Sequence, residues 1–395
     1  MNNILDFIKE KKNCTGCSAC LNICPVNCIT MEYDEEGFLY PVYGENCIKC
    51  DKCKRVCPIL NEKNEEKVKI KQIAMAAVTK SVETWKKSSS GGAFTEICNA
   101  YGDDNTIVFG ATFDNLKVKH SYVIGVKNID VFRKSKYIQS DLGNSFKKVY
   151  EFLKQDKKVI FSGTPCQISG LRSYLGKNYE NLLCIDLICH GVGSQKVFDK
   201  IIKFDENKYG YKIKKYTFRY KKVFMGNFSE YSSEYIFEDN KSKVVNYDNY
   251  NKLFLSQLCL RNCCQDNCKF RTSNRLSDIT IADFKNKIGV FPNLKDYKNY
   301  STIVINSKKG LILLKDLKKS MDIIECDLDI IKKNNPLFYR YTNSNKDRDK
   351  FFYDFKNGVS MDILIDKYCK SEKIKFPILR RLIPYKLKYI ILKKF

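Results

Sequence analysis

The spacing of the cysteines limits this chain more than any other feature. Cys14-x2-Cys17-x2-Cys20-x3-Cys24-Pro25 is followed by Cys47-x2-Cys50-x2-Cys53-x3-Cys57-Pro58. Three thiols two residues apart suit one face of a four-iron cubane. The proline after the fourth turns the chain and sends that thiolate to the other cluster, as in the bacterial two-cluster ferredoxin run. Cys14, Cys17, Cys20 and Cys57 are therefore expected to hold one 4Fe–4S cluster, and Cys47, Cys50, Cys53 and Cys24 a second. Two complete halves of the octet are more than a zinc site requires. Cys28 fits neither set and reads as a small core residue.

Nineteen cysteines in 395 residues do not make a disulfide scaffold here. The chain is long, and nine cysteines fall within residues 14–57 at ligand spacing, which points to a reducing compartment. No run of 18 uncharged apolar residues exists, so no membrane-spanning helix is expected. The opening MNNILDFIKEKKN carries acids and lacks the apolar core of a secretory signal. The expected location is the cytoplasm, with peripheral attachment to the inner face of the membrane as a variant. The net charge of +25 comes from 59 Lys and only 11 Arg against 45 acids. Such a surface reads first as solvated. The scarcity of Arg, the better reader of bases and phosphates, argues against a nucleic-acid partner. The charge still favours acidic electron carriers or anionic lipid.

After a charged, apolar-poor stretch at residues 61–72, strand-like and helix-like segments alternate. Residues 73–78, 106–112, 158–162 and 182–189 read as strands; 92–101, 144–154, 167–175 and 195–204 read as helices. This alternation predicts an α/β domain, giving a mixed α+β and α/β fold class for the whole chain. Residues 213–247 look antiparallel, 279–284 and 302–307 read as further strands, and 346–369 as two short helices. The tail from Phe376 to Phe395 carries six Lys/Arg and no acid, with Leu379, Leu382, Ile383, Leu387, Ile390 and Ile391 able to share one face. It reads equally as a segment lying on an anionic membrane surface and as a terminal helix docked on the domain.

The rest of the chemistry sits in the middle of the chain. Ser88, Ser89, Ser90, Gly91 and Gly92 lead into a helix, where hydroxyls, glycine backbone and free N–H groups can make an anion site; a capped surface turn explains the same pattern. Phe161-Ser162-Gly163-Thr164-Pro165-Cys166-Gln167 marks a strand-to-helix junction, and Cys184-Ile185-Asp186-Leu187-Ile188-Cys189-His190-Gly191 ends another strand. In parallel sheets the carboxyl ends of strands share one edge, where ligands bind, so Cys166 and Cys189 can meet there. Cys184 lies mid-strand and reads as core. Cys259, Cys263, Cys264 and Cys268 offer further thiols for a third cluster. His190 reads as a satisfied structural histidine, with a ligand or base role as the alternative.

Taken in order, the octet, SSSGGAF (88–94), KYIQSDLG (136–143), FSGTPCQISGL (161–171), LICHGVGS (187–194) and CKFRTSNRLSDITIADF (268–284) resemble the coenzyme F-420 hydrogenase/dehydrogenase beta-subunit family over roughly residues 12–290. The resemblance implies an iron–sulfur flavoprotein with a two-cluster ferredoxin domain (1–62), a linker (63–72), an α/β flavin and iron–sulfur domain (73–345) and a helical C-terminal region (346–395). It implies two 4Fe–4S clusters, a third held by Cys166, Cys189, Cys264 and Cys268, and FAD. The flavin site would be lined by residues 88–92 with Lys136, Tyr137, Gln139, Ser140, Gly163 and Thr164. The chain departs from the family in three places: Cys264-x3-Cys268 replaces Cys-x2-Cys, with Gln265 at the expected ligand position; Ala282-Asp283-Phe284-Lys285-Asn286 replaces Gly-Asp-Phe-Trp-Gly; and Val192-Gly193-Ser194 replaces Val-Pro-Ser.

The expected function is that of an oxidoreductase passing electrons between clusters and FAD. Its substrate would be a small-molecule hydride acceptor, a deazaflavin coenzyme or a polysaccharide-pathway intermediate. A redox partner protein or reduced ferredoxin would exchange the electrons. The rival reading is a non-catalytic electron-transfer subunit serving a partner enzyme. A radical enzyme using S-adenosylmethionine needs Cys-x3-Cys-x2-Cys, and the third position after each Cys-x3-Cys pair is Asn27, Met31, Leu60, Asp266 or Arg271. Lys136, Asp186 and His190 are the only acid–base nominees, and no catalytic residue is assigned.

Overall fold

The computed structural model describes residues 10–61, 70–221, 231–266, 268–292, 298–341 and 344–369, with Leu5, Ile8, 223–224, 227–228 and Leu294 besides. The basic tail, residues 376–395, and most of the charged linker lie outside the described residues. Among those described, no helix is long and apolar enough to cross a membrane.

The octet is carried by helix α1 (Ala19–Ile23), hairpin strands β1 (Ile29–Tyr33) and β2 (Leu39–Tyr43), and helix α2 (Lys52–Arg55). The strands pair antiparallel from Ile29↔Tyr43 to Tyr33↔Leu39. So small a unit has little apolar core of its own, and it borrows one. Ala19 of α1 and Cys17 join a cluster with Phe146, Val149, Ile168 and Leu171 of the following α/β unit. Phe38 and Tyr40 join another with Val197, Phe198 and Tyr250.

The α/β unit begins with β3 (Ile73–Thr79), then α3 (Val82–Lys87), α4 (Ala93–Tyr101), β4 (Ile107–Asp114), β5 (Lys117–Ile124), α5 (Ser145–Lys154), β6 (Val159–Gly163), α6 (Pro165–Leu175), β7 (Leu182–Leu187) and α7 (Gln195–Tyr209). Strands β8 (Ile213–Thr217), β9 (Ser232–Phe237) and β10 (Ser242–Asn246) precede α8 (Asn249–Leu255). Strands β11 (Ile279–Asp283) and β12 (Ser301–Ile305), helix α9 (Lys308–Ser320), β13 (Met321–Cys326), α10 (Leu328–Asn334), α11 (Arg348–Lys356) and α12 (Met361–Cys369) complete the described elements used here.

Eight strands form one sheet in the order β13-β3-β12-β11-β7-β6-β4-β5. Neighbours β4, β6, β7 and β11 run parallel; β12 is antiparallel to both β11 and β3, and β13 and β5 are antiparallel at the edges. The carboxyl ends of β3, β4, β6, β7 and β11 therefore share one edge. Ala74, Met75, Ala76, Ala77 and Val78 of β3 are all buried, as a strand covered on both faces must be. Two buried ion pairs tie the sheet to its flanks: Arg275–Asp186 at 3.4 Å and Arg172–Asp278 at 3.2 Å.

A second sheet, β10-β9-β8, packs on α7, α8, α11 and α12. Beneath it lies a polar network of tyrosines and acids. The Tyr235 hydroxyl stands 2.9 Å from Asp205 and 3.0 Å from Asp248, Tyr216 donates to Asp248, and both acids are almost wholly buried. Burial, with Asp248 close by, pushes the Asp205 carboxyl up to about 6. An unfolded aspartate titrates near ~4, so the folded chain holds this proton more tightly and loses stability as pH rises from roughly 4 to 6. Asp205→Asn should therefore raise the melting temperature at pH 7.5 by about 2 °C, the shift that roughly 1 kcal/mol brings at this size. Calorimetry should show the gain shrinking toward pH 4.

Candidate functional site

The two halves of the octet fold alike. Gly16 and Lys49, just before each middle cysteine, and Ser18 and Asp51, just after it, all have positive φ, between 53° and 66°. These turns bend each half around a cavity. One cavity is lined by Cys14, Cys17, Cys20 and Cys57, the other by Cys47, Cys50, Cys53 and Cys24. In each, the fourth thiol comes from the opposite half. The thiols ring a space instead of meeting at a point: among the described residues, no three His, Cys, Asp or Glu side chains close on a single ion. Burial pushes the Cys17 thiol up to about 12 and Cys20 well above its ordinary value. At Cys24 burial acts the same way but is outweighed by donors, among them the Cys28 N–H at 3.3 Å, and the thiol is held low. Cys28 is a core residue as expected, packed with Cys24 and Ile29, and in addition its Sγ lies 3.4 Å from that of Cys24 and it lines the second cavity as a fifth thiol. The signal was its spacing, four residues after Cys24.

A third cavity opens at the carboxyl edge of the main sheet. β6 ends at Gly163. Thr164 caps α6 reciprocally with Gln167, which sets Cys166 in the first turn with its Sγ 3.1 Å from Thr164 Oγ1. Cys189 follows the end of β7, and the 3-10 turn Asn262–Cys264 brings Cys263 and Cys264. Cys166, Cys189, Cys263, Cys264 and Cys268 all line this cavity, so the four thiols expected there are joined by Cys263. Gln265 turns away and donates to the Gln257 carbonyl at 2.7 Å. Thr15 and Gly16 border both this cavity and the first. They can do so because Gly16 has no side chain: a Cβ would stand 2.3 Å from Gln139 Nε2.

The walls of the third cavity hold cationic and amide N–H groups without acceptors. Gln139 Nε2 and Arg271 Nε and Nη1 are buried with no hydrogen-bond partner among the described residues, and so is Nη2 of Arg261, behind the wall and bonded to Gln139 through Nη1. Burial, then the neighbouring Cys264, pushes Cys189 up to about 12; the Cys263 thiol, donating to Cys264, draws that group down to about 6.

The residues expected around a flavin fall into two groups. Gln139 and Thr164 line the third cavity. Ser140 and Gly163 stand behind it, where Ser140 Oγ bridges His120 Nδ1 and Gln167 Nε2, both at 2.9 Å. Because His120 Nε2 faces the Ser162 carbonyl at 3.0 Å, that nitrogen carries the proton and Ser140 donates to Nδ1. Residues 88–92 lie between β3 and α4 at the far side of the same edge. Gly91 N–H donates to Ser301 Oγ, Ser90 Oγ to the Tyr300 carbonyl and Ser88 Oγ to the Thr84 carbonyl. Ser89 Oγ accepts from the Ser135 N–H at 2.9 Å, which ties this loop to the 136–140 segment. Lys136 is spent on its own loop, donating to the carbonyls of Val131, Arg133 and Lys134.

Positive charge gathers over this loop. Arg219 pairs with Asp283 at 2.8 Å and donates to the Tyr137 hydroxyl at 3.1 Å; Lys221 donates to the Trp85 and Ser90 carbonyls. Burial, then Arg219, pushes Lys221 down to about 6, and burial, then Lys134, pushes Lys136 to about 7. α4 begins at Gly92 (φ 93°) with no side-chain cap. Sequence reasoning missed Arg219 and Lys221, which sit on an ordinary-looking basic strand end. Asn286, where the family has its second glycine, keeps a left-handed φ of 56°, which asparagine tolerates best among the other residues.

Of the acid–base nominees, Asp186 is wholly buried against Arg275 and Thr280 and is structural. His190 is not satisfied as expected: its Nε2 is buried without a partner among the described residues, and burial followed by Arg271 pushes the ring down to about 4. Phe254 lies against His190 at 5.1 Å and stacks on Tyr137 at 4.6 Å. One aromatic thus joins the third cavity's edge to the flavin candidates.

Residues 156–329 match the family model for the C terminus of the coenzyme F420 hydrogenase/dehydrogenase beta subunit, and residues 13–60 match the 4Fe-4S dicluster domain. No curated protein matches the chain. Among solved structures the chain is similar to one from the F420-reducing NiFe hydrogenase complex of Methanosarcina barkeri, at 18% identity over 74% of this chain and 94% of that one, with a TM-score of 0.43. The octet therefore belongs to a 4Fe-4S dicluster domain, and residues 156–329 carry the C-terminal domain of the coenzyme F420 hydrogenase/dehydrogenase beta subunit.

Proposed function

We propose that this chain is an iron–sulfur flavoprotein oxidoreductase that carries electrons between 4Fe–4S clusters and FAD, and through FAD to or from a small hydride acceptor. A deazaflavin coenzyme fits the family, and a polysaccharide-pathway intermediate is the other candidate. A redox partner protein or reduced ferredoxin exchanges the single electrons. The observation that carries this reading is the third thiol cavity, which shares Thr15 and Gly16 with the first and opens on the sheet edge that also bears residues 88–92.

The orphaned donors suit the inner cluster. Buried cationic N–H groups without acceptors are costly, and an anionic cluster with thiolate and sulfide acceptors satisfies them. Cys166, Cys189, Cys264 and Cys268 are its proposed ligands, with Cys263 as the spare thiol donating to Cys264. The crowded cations over residues 88–92 suit an anion likewise, and the diphosphate of FAD has the right charge for Arg219, Lys221 and the uncapped start of α4. Tyr137 and Phe254 offer stacking surface. When bound, the clusters supply one-electron transfer and the flavin supplies hydride exchange. The chain itself fixes the distances, excludes water and keeps His190 neutral at pH 7.

One observation favours the rival, an electron-delivery subunit without flavin: Ser88 and Ser90 already spend their hydroxyls on backbone carbonyls. Composition after strictly anaerobic purification separates the two. About twelve irons per chain (three four-iron clusters) with one FAD are expected; about eight irons (two such clusters) and no flavin would leave electron delivery alone. Cys166→Ala should reduce the iron content to about eight. Ser89→Glu, placing a like charge against the diphosphate, should keep the iron and weaken flavin retention about tenfold, roughly 1.4 kcal/mol. Equal flavin content in that variant and the parent would remove residues 88–92 from the flavin site.

A further inference from the structure

We propose that Arg261 is a counter-charge shared by the first ferredoxin cluster and the inner cluster, so that one buried guanidinium sets both reduction potentials. The inference rests on the inner-cluster reading above.

Arg261 is completely buried. Four other buried arginines have carboxylates: Arg172 has Asp278, Arg275 has Asp186, Arg219 has Asp283 and Arg348 has Glu36, whereas Arg271, in the wall of the third cavity, has none among the described residues. Arg261 has none among the described residues. Its Nε donates to the Cys14 carbonyl at 2.9 Å, and its Nη1 to the Leu39 carbonyl and Gln139 Oε1, both at 3.0 Å. Its Nη2 has no partner there. The guanidinium stacks 3.9 Å over the Tyr40 ring. A cation–π contact offsets only part of the cost of burying a charge without a counter-ion. The balance calls for negative charge close by. Its Nε bond ends on Cys14, which lines the first cavity, and it stands two and three residues before Cys263 and Cys264, which line the third.

Position gives the same answer. Arg261 directly precedes the turn that carries Cys263 and Cys264, and its N–H donates to the Val192 carbonyl, a residue of the third cavity's wall. Its side chain crosses to Cys14, next to the Thr15–Gly16 wall that the two cavities share. Reduction adds one negative charge to a cluster. A fixed positive charge therefore favours the reduced state and raises the potential, more strongly where water is excluded. One charge beside two centres raises both together, and it acts less on the cluster of Cys47, Cys50 and Cys53, whose cavity has no wall in common with the third.

A purely structural role, tethering the hairpin to the α/β unit through three carbonyl and amide bonds, is the competing account. The test is a potentiometric titration of the full anaerobic chain followed by electron paramagnetic resonance, with iron counted first. In Arg261→Met, at the potential where the parent's first and inner clusters are half reduced, the reduced-to-oxidised ratio of both should fall about tenfold, equivalent to about 59 mV for one electron. The second cluster should move less. Arg261→Lys, which keeps the charge and loses the fork, should remain near the parent. Gln139→Glu sets a carboxylate against Nη1 and neutralises the guanidinium in place. It should move the same two clusters in the same direction, and it decides the matter if Arg261→Met does not fold. About twelve irons with unmoved potentials in the glutamate variant would overturn the role of Arg261 and leave the inner cluster standing. About eight irons in the parent would remove the inner cluster, and the shared role with it.

Discussion

Buried thiols repel one another's charge, and the need to surround them with donors and cations organises this fold. Each cavity solves the problem differently. The first two use tight turns that aim backbone N–H groups at sulfur, as Gly16 does toward Cys14 and Cys28 toward Cys24. The third uses side chains brought from remote parts of the chain: Gln139 from the strap after β5, Arg261 and Arg271 from the segment after α8. The same groups weld the ferredoxin-like unit to the rest. Gln139 Oε1 accepts from the Leu39 N–H of the hairpin, Asn22 donates to the Gly143 carbonyl, and Arg348 reaches Glu36 at 2.6 Å. Electrostatic demand and domain cohesion are met by one set of bonds.

What could be read in the sequence was what is local. Ligand spacing within the octet is a property of a few consecutive residues, so the two sets of four were legible before any tertiary fact. The buried strands β3 and β7 announced themselves as apolar runs, and Cys166 and Cys189 could be brought together because parallel strands end on one edge. Strand β5 was not legible: Lys117–Ile124 lies at the sheet edge with every other residue in solvent, and its lysines hide the pattern. Nor was β13, which completes the opposite edge.

Several candidate site residues have bonds within the protein that spacing does not announce. Ser140 looked like a ligand-facing hydroxyl and proved to be spent on His120 and Gln167. Lys136 looked like a free cation and is held by three carbonyls of its own loop. Conversely His190, taken as satisfied, keeps a buried nitrogen without a partner among the described residues. Arg219, Lys221 and Arg261 carried no local signature at all, since a lysine-rich chain offers many cations and only the fold says which are buried. Spacing identifies ligands; it does not identify the charges that make ligands tolerable.

The repeated turns around the two middle cysteines have one more consequence. Their backbones are superimposable in kind, yet the equivalent positions have diverged. The inner half carries glycine at 16 and a buried serine at 18, and presses against Gln139 and α6. The outer half carries lysine at 49 and aspartate at 51, beside an isoleucine at 48 that is 60% exposed. A symmetric duplication has thereby acquired a front and a back. The outer half turns an exposed apolar side chain and charges to water, and the inner half packs its turn against the sheet domain. Two halves with the same ligand spacing therefore have different neighbours, so the spacing alone does not set a cluster's surroundings.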